Sequence, residues 1–306
     1  MKRASLVAAT SAGLLTVALS ACGQDKGPTV TLPSTPASGS QTPTETSAPT
    51  TESPSTSSSS SSSTTTEPAK PIAAGDCLGP APSYTRVKCN EAHTFEVFFV
   101  KDDKTSADNL VKRGAWVKAT CNTEGAKFLG NTGFFVSRVD VDPAPATVNP
   151  DSSSRIACMA KEFRTSLRGL VSSATSLKGA LKGDKYNKYQ LCSKGKASDT
   201  DLKLVSCLEP HAGESVGGKI NGKPGDPFPK GGDNKIHADA RKYCQPLAKK
   251  YLGATRSDIT FAENSGGPGP WARGDMVSGC FVETKDGSTV TKSLKGIGKK
   301  PLKSYK

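Results

Sequence analysis

Two stretches of the chain carry the same reactive residue types at the same spacing. Val87–His93 reads VKCNEAH and Val205–His211 reads VSCLEPH, both V-x-C-x-E-x-H, and they hold two of the three histidines. On a strand, residues at i, i+2 and i+4 share a face, so Cys89, Glu91 and His93 are expected to project together, as are Cys207, Glu209 and His211. A glutamate–histidine pair can orient a general base or supply two metal ligands. A structural zinc site takes about four ligands and a catalytic one about three. Only His237 remains as a further histidine, and the cysteines are needed elsewhere. Glu91, His93, Glu209 and His211 are therefore the metal candidates by residue type, while the expectation adopted is structural. Each histidine hydrogen-bonds its neighbouring glutamate or a backbone carbonyl and fixes the chain beside a disulfide.

Other routes to catalysis are poorly furnished. Neither G-x-S-x-G nor H-E-x-x-H occurs. Ser193-Lys194-Gly195-Lys196 fits S-x-x-K, but it follows a cysteine in a Lys/Gly/Ser-rich turn, without the partner motifs S-D-N and K-T-G. Gly217-Gly218 and Gly231-Gly232 read as turns rather than a phosphate loop. Trp271, closing SGGPGPW, reads as a core filler. The expectation is a protein that is not an enzyme and uses no cofactor.

The elements that position these residues come in duplicate. Eight cysteines beyond Cys22 fall as 77, 89, 121, 158 and 192, 207, 244, 280, with offsets of 115, 118, 123 and 122 between corresponding members. Ser176-Leu177-Lys178-Gly179-Ala180 recurs as Ser293-Leu294-Lys295-Gly296-Ile297 at an offset of 117. Landmarks in one order at nearly one offset mark an internal repeat. Eight cysteines permit 105 pairings, and if bonds stay within a copy and both copies match, three patterns survive. The expected bonds are Cys77–Cys89, Cys121–Cys158, Cys192–Cys207 and Cys244–Cys280, because an even count in an exported chain implies disulfides.

Each copy reads as a small α+β module with an antiparallel sheet and a packed helix. Thr94–Val100 (TFEVFFV) has strand composition. A helical stripe follows through Leu110, Val117, Cys121 and Phe128, weakened by Gly114 and Gly125. The second copy has Ile236, Ala240, Tyr243, Cys244, Leu247 and Tyr251 at similar spacing, and Pro246 is expected to kink or break that helix. Cys158 and Cys280 sit in late strands, so their bonds would staple a helix to a sheet.

The order Gly75-Asp76-Cys77-Leu78, V-x-C-x-E-x-H-x-x-E-V over Val87–Val97, a helix cysteine, Trp271–Asp275 (W-x-x-G-D) and a closing S-L-K-G resembles the septum formation family. The resemblance covers residues 71–306 as two tandem copies. It implies an exported or membrane-tethered protein associated with the cell envelope and division. Copy one has Pro150–Ser154 in place of the tryptophan segment. Copy two lacks Gly-Asp before Cys192 and has Gly213-Glu214-Ser215-Val216 in place of the aromatic strand.

The N-terminus reads as a targeting segment. Lys2 and Arg3 precede an apolar run at Leu6–Leu19, which ends in the lipobox-like Leu19-Ser20-Ala21-Cys22. Residues 1–21 are expected to be a lipoprotein signal peptide, with Cys22 acylated as a lipid anchor on the extracytoplasmic face of the plasma membrane. Residues 22–70 are dominated by Ser, Thr and Pro, with seven serines at Ser57–Ser63, and read as a disordered tether with a reach of roughly 40 Å. The modules are placed at 71–183 and 184–306.

The net charge is +13. The tether contributes −2 and Lys2 with Arg3 contribute +2, so the folded part keeps all of it. The expected partners are the lipid bilayer through Cys22 and an anionic wall polymer or a division or envelope protein, not nucleic acid.

Overall fold

A computed structural model describes residues 70–165 and 167–306. The expected signal peptide, the lipidation of Cys22 and the tether up to residue 69 lie outside the described residues. The first module begins with two-residue strands, β1 (Cys77–Leu78) and β2 (Arg86–Val87), followed by β3 (Phe95–Asp102). Helix α1 (Leu110–Leu129) leads to β4 (Val139–Pro143) and the long β5 (Arg155–Thr165), with β6 (Arg168–Leu170) paired to the end of β5. The short α2 (Tyr186–Tyr189) opens the second half. There β7 (Leu191–Ser193), β8 (Leu204–Ser206), β9 (Gly213–Ile220), α3 (Gly232–Leu252), β10 (Ile259–Ser265), the short α4 (Pro268–Ala272) and β11 (Val277–Thr284) follow.

The two sheets repeat one plan. The first runs β2-β1-β3-β5-β4 and the second, taken from its matching edge, β8-β7-β9-β11-β10. Every pairing is antiparallel. The glycine-rich β9 (GESVGGKI) occupies the place of the aromatic β3 (FEVFFVKD). It is held on one edge by β11 and on the other by β7, so burial between neighbours overrides its weak strand propensity.

Helix α1 starts where the Asn109 side chain accepts from the Lys112 N–H at 3.0 Å, and ends at Gly130 with φ of 83°. Leu110 does not join its buried stripe, being 82% exposed; Ala119, Cys121, Gly125, Ala126 and Leu129 form that face. Gly125 is there for close approach: an added Cβ would lie 2.7 Å from Val141 Cγ1 on β4. Helix α3 runs unbroken through Pro246. The proline is exposed, the Cys244–Cys280 bond grips the helix just before it, and buried Ala248 and Leu252 anchor the turns beyond. Tertiary packing thus offsets the hydrogen bond that proline cannot make.

Disulfides join Cys77 to Cys89, Cys121 to Cys158, Cys192 to Cys207 and Cys244 to Cys280. In each module the first bond ties a turn to the first strand and the second staples the helix to the sheet. In the chain-entropy account, loops of this size contribute about 3 to 4 kcal/mol each.

The closing segments finish each helix. Gly179 and Leu181 donate to the Phe128 and Leu129 carbonyls at 2.8 and 2.9 Å. Gly296 and Gly298 donate to Tyr251 and Leu252 at the same two distances. These bonds satisfy terminal carbonyls that have no partner within the helix. The apolar side chains between them are buried: Leu177 and Leu181 join Leu129, Val139 and Val141, while Leu294, Ile297 and Leu302 join Leu252, Ile259 and Val282.

The modules share packing. Tyr186 and Tyr189, just past the boundary placed at 184, fill the first core, and Tyr186 OH lies 3.0 Å from Ser215 Oγ of β9. Val136 clusters with Ala262 and Phe281 of the second sheet, and Ala119 with Ile236, Trp271 and Met276. Gly133 meets Gly217 backbone to backbone, where an added Cβ would lie 2.5 Å from the Gly217 carbonyl carbon. The described residues of the two modules form one compact unit.

Candidate functional site

Cys89, Glu91 and His93 do not lie along a strand. The chain leaves β2 at Val87 and turns, with Glu91 N–H donating to the Lys88 carbonyl at 2.8 Å, because the bond from Cys89 to Cys77 draws it out of the ladder. Glu91 is exposed, and its backbone carbonyl rather than its carboxylate meets His93 Nδ1, at 2.8 Å. Glu209 is likewise exposed, and its carbonyl lies 2.7 Å from His211 Nδ1. A carbonyl only accepts, so Nδ1 carries the hydrogen in both rings.

The other ring nitrogen faces a different glutamate, three residues on. His93 Nε2 lies 3.3 Å from Glu96 Oε1, and His211 Nε2 lies 3.0 Å from Glu214 Oε1. Each carboxylate then binds the closing segment. Glu96 accepts from Ser176 Oγ at 2.8 Å and Leu177 N–H at 2.6 Å; Glu214 accepts from Ser293 Oγ at 3.2 Å and Leu294 N–H at 2.8 Å. The histidine backbones pair with the same segments, His93 with Ser173 and His211 with Val290. The cysteine–histidine motif and the S-L-K-G motif are therefore two halves of one clasp, built twice. The glutamate at the third position after each histidine was the missed residue. Its recurrence at an offset of 118, as Glu96 and Glu214, was the available signal.

The second clasp is the more enclosed, with His211 and Glu214 both fully buried. Tyr251 OH adds a fourth donor to Glu214 at 2.5 Å. With its Nδ1 hydrogen committed to the Glu209 carbonyl, His211 meets Glu214 through Nε2, and that contact favours a second ring proton, the imidazolium. Burial is the largest single influence on His211 and pushes its pKa down. The hydrogen bonds to Glu214 and the Glu209 carbonyl, with the Glu214 charge, outweigh it and leave the pKa above the ordinary histidine value. Burial and the Glu214 charge push the Tyr251 phenol well up, so it remains a donor.

Cys192, His211 and Glu214 have potential ligand atoms within 4.8 Å of one another. Cys192 is bonded to Cys207, which leaves no thiolate to complete the set. His237 on α3 contacts Glu263 on β10. Ser265 donates to that glutamate at 2.8 Å, so the histidine does not stand beside the serine as its base. Ser193 is buried within β7 rather than opening a helix. Trp271 is buried, donating to the Asp226 carbonyl at 2.9 Å with its ring edge-on to Phe228. Beside it, Trp116, Phe228 and Met276 line a cleft of about 490 Å³ where α1 faces the loops of the second module. Among the described residues, no helix is long and apolar enough to cross a membrane.

The architecture is thus a pair of disulfide-stapled α+β modules, each closed by a buried histidine–glutamate clasp. A family model described as septum formation matches residues 74–280 as one stretch spanning both modules. The match covers more than half of the 306 residues, and the chain belongs to the septum formation family. Comparison with the curated proteins and with the solved structures returned no match.

Proposed function

We propose that this protein is a non-catalytic lipoprotein of the cell envelope, anchored through acylated Cys22, whose two modules bind or scaffold a wall component or an envelope protein at the septum. The observation that carries this reading is the fate of the histidine–glutamate pairs. Both are enclosed in clasps that join a turn to a closing segment, with their hydrogen-bonding capacity spent on backbone and serine. The family description and the lipobox-like Leu19–Cys22 support the envelope setting. The test is crosslinking in living cells followed by identification of partners. Capture of a wall polymer or an envelope protein is expected, and a chain that crosslinks to neither would remove the binding role. For the anchor, Cys22→Ala is expected to release the protein into the medium, and continued membrane retention would count against acylation.

One observation favours a second reading. The cleft beside Trp116 and Trp271 has the size and apolar lining of a small-molecule site, as in a solute-binding lipoprotein. A rise in melting temperature with a cell-wall sugar or peptide fragment would support it. A metal-dependent variant of the protein would have to draw on His211 and Glu214, and stoichiometric zinc or copper in elemental analysis of natively purified protein is its signature.

A further inference from the structure

The second module ends in a feature that the first lacks. After its S-L-K-G segment the first module passes into α2, whereas the second continues through Lys299-Lys300-Pro301-Leu302-Lys303. Between Lys292 and Lys306 there are six lysines and no acid. This segment is built into the fold. Leu294, Ile297 and Leu302 are buried against Ala248, Leu252 and Ile259. Arg256 donates to the Gly298 and Lys300 carbonyls, both at 2.7 Å, while its other nitrogens hold Asp258. Gly296 and Gly298 are tied to the end of α3, whose last turn carries Lys249 and Lys250.

The consequence is a group of cations carried by the end of α3 and by the segment tied to it. Lys249, Lys250, Lys299, Lys300 and Lys303 are all exposed, on a backbone held by buried leucines and isoleucine. Lys295 is paired with Asp184 at 2.9 Å and Lys306 with Asp286 at 3.6 Å; the other five have no ion pair among the described residues. Lysines on an anchored backbone offer a polyanion their charge without the backbone ordering cost of a floppy tail. Basic surfaces that insert into a membrane carry exposed Trp, Phe or Leu on the inserting side. Among the described residues the exposed large apolar side chains are Leu110, Val111, Leu167, Leu208 and Tyr243, none of them in 244–306. The surface is suited to repeated phosphates in solution rather than to entering a bilayer.

We propose that the platform formed by Lys249, Lys250, Lys299, Lys300 and Lys303 binds a phosphodiester polymer of the cell wall. This deepens the proposed binding role and rests on it. Lysine is a point-charge phosphate partner that demands no particular fork geometry, so the platform reads charge spacing rather than sequence. Binding should be salt-dependent through release of counterions from the polymer.

The test uses the purified full chain and chemically defined poly(glycerol phosphate), with binding followed by fluorescence anisotropy at several salt concentrations. The variant K299E/K300E/K303E changes exposed side chains only, and circular dichroism checks that it is folded. The control K101E/K104E/K112E reverses the same number of exposed lysines on the first module. The platform variant is expected to weaken binding by about tenfold or more and to flatten its salt dependence, with the control near the parent. Equal losses in both variants would reduce the effect to net charge and overturn the platform. Binding to phosphatidylglycerol vesicles with none to the polymer would overturn the choice of ligand. Absence of binding to either at physiological salt would overturn the inference outright, and a protein partner found by crosslinking would still leave the broader scaffolding role standing.

Discussion

Tyr251 gives its phenolic hydrogen to Glu214, while Phe128, the residue at the matching place in the first module, has no hydroxyl to give. The match is structural, since the carbonyl of each accepts from the corresponding closing glycine, Gly296 or Gly179. Phe128 stacks on Phe98 of β3 instead, with ring centroids 5.0 Å apart. One clasp is thus more polar and more enclosed than the other. Tyr251→Phe converts the second clasp to the chemistry of the first. It is expected to cost about 1.5 to 3 kcal/mol, the range for a hydrogen bond to a charged group, read as a lower urea midpoint with an unchanged slope. An unchanged midpoint would mean that the phenol is not donating to the carboxylate.

His211 makes the second clasp sensitive to pH. Its folded-state pKa is raised above the ordinary value of 6.5, so the folded protein binds this proton more tightly than the unfolded chain does. The resulting stability is complete below pH 6.5 and is lost as the pH rises through the raised folded value. Scanning calorimetry in oxidising buffer is expected to show the melting temperature falling on that alkaline side. His211→Gln should lower stability overall and flatten this fall. A parent curve that is level across the window would contradict the imidazolium assignment.

Two glycines of α1 should respond in opposite directions to alanine. Gly114 has open space around an added Cβ, so Gly114→Ala is expected to stabilise by up to about 1 kcal/mol through helix propensity. Gly125→Ala drives a methyl into Val141 and is expected to destabilise by about 1 to 3 kcal/mol. Thermal melts of the two variants side by side decide the point, and equal shifts would be inconsistent with the close approach of α1 to β4.

The bond from Cys244 to Cys280 should be what carries α3 across its proline. Replacing both cysteines with serine is expected to cost about 4 kcal/mol. It should also speed amide hydrogen exchange from Leu247 to Leu252 more than from Ile236 to Ala240. Uniform exchange along the helix would show that Ala248 and Leu252 suffice to hold it.

The sequence carried the module plan because cysteine spacing and the repeated serine–leucine segment are sparse marks that survive changes in everything around them. The strand at Thr94–Val100, the helix bearing Cys121 and the late strands bearing Cys158 and Cys280 all stand in the structure as β3, α1, β5 and β11. Strand alternation failed between Cys89 and His93, because a short-range disulfide outweighs a ladder only two residues long. Helical periodicity failed at Leu110, which lies in the first turn before the helix reaches the sheet. Pro246 read as a breaker because propensity knows nothing of a bond to the next layer. The true partner of each histidine lies off the strand face with which alternation would pair it. Glu96 and Glu214 are reached around a turn, and the carboxylate's other ligands arrive from about 80 residues away.

A chain growing from its N-terminus meets these closing segments at very different times. The first helix receives its final carbonyl partners once Leu181 is available, and its core is filled by Tyr189. The second sheet stays open along one side, its glutamate unmatched, until Leu294 and then Leu302 emerge. Closure of the second clasp therefore waits on a segment about 80 residues beyond its glutamate, and the lysine-bearing stretch is the latch that completes it.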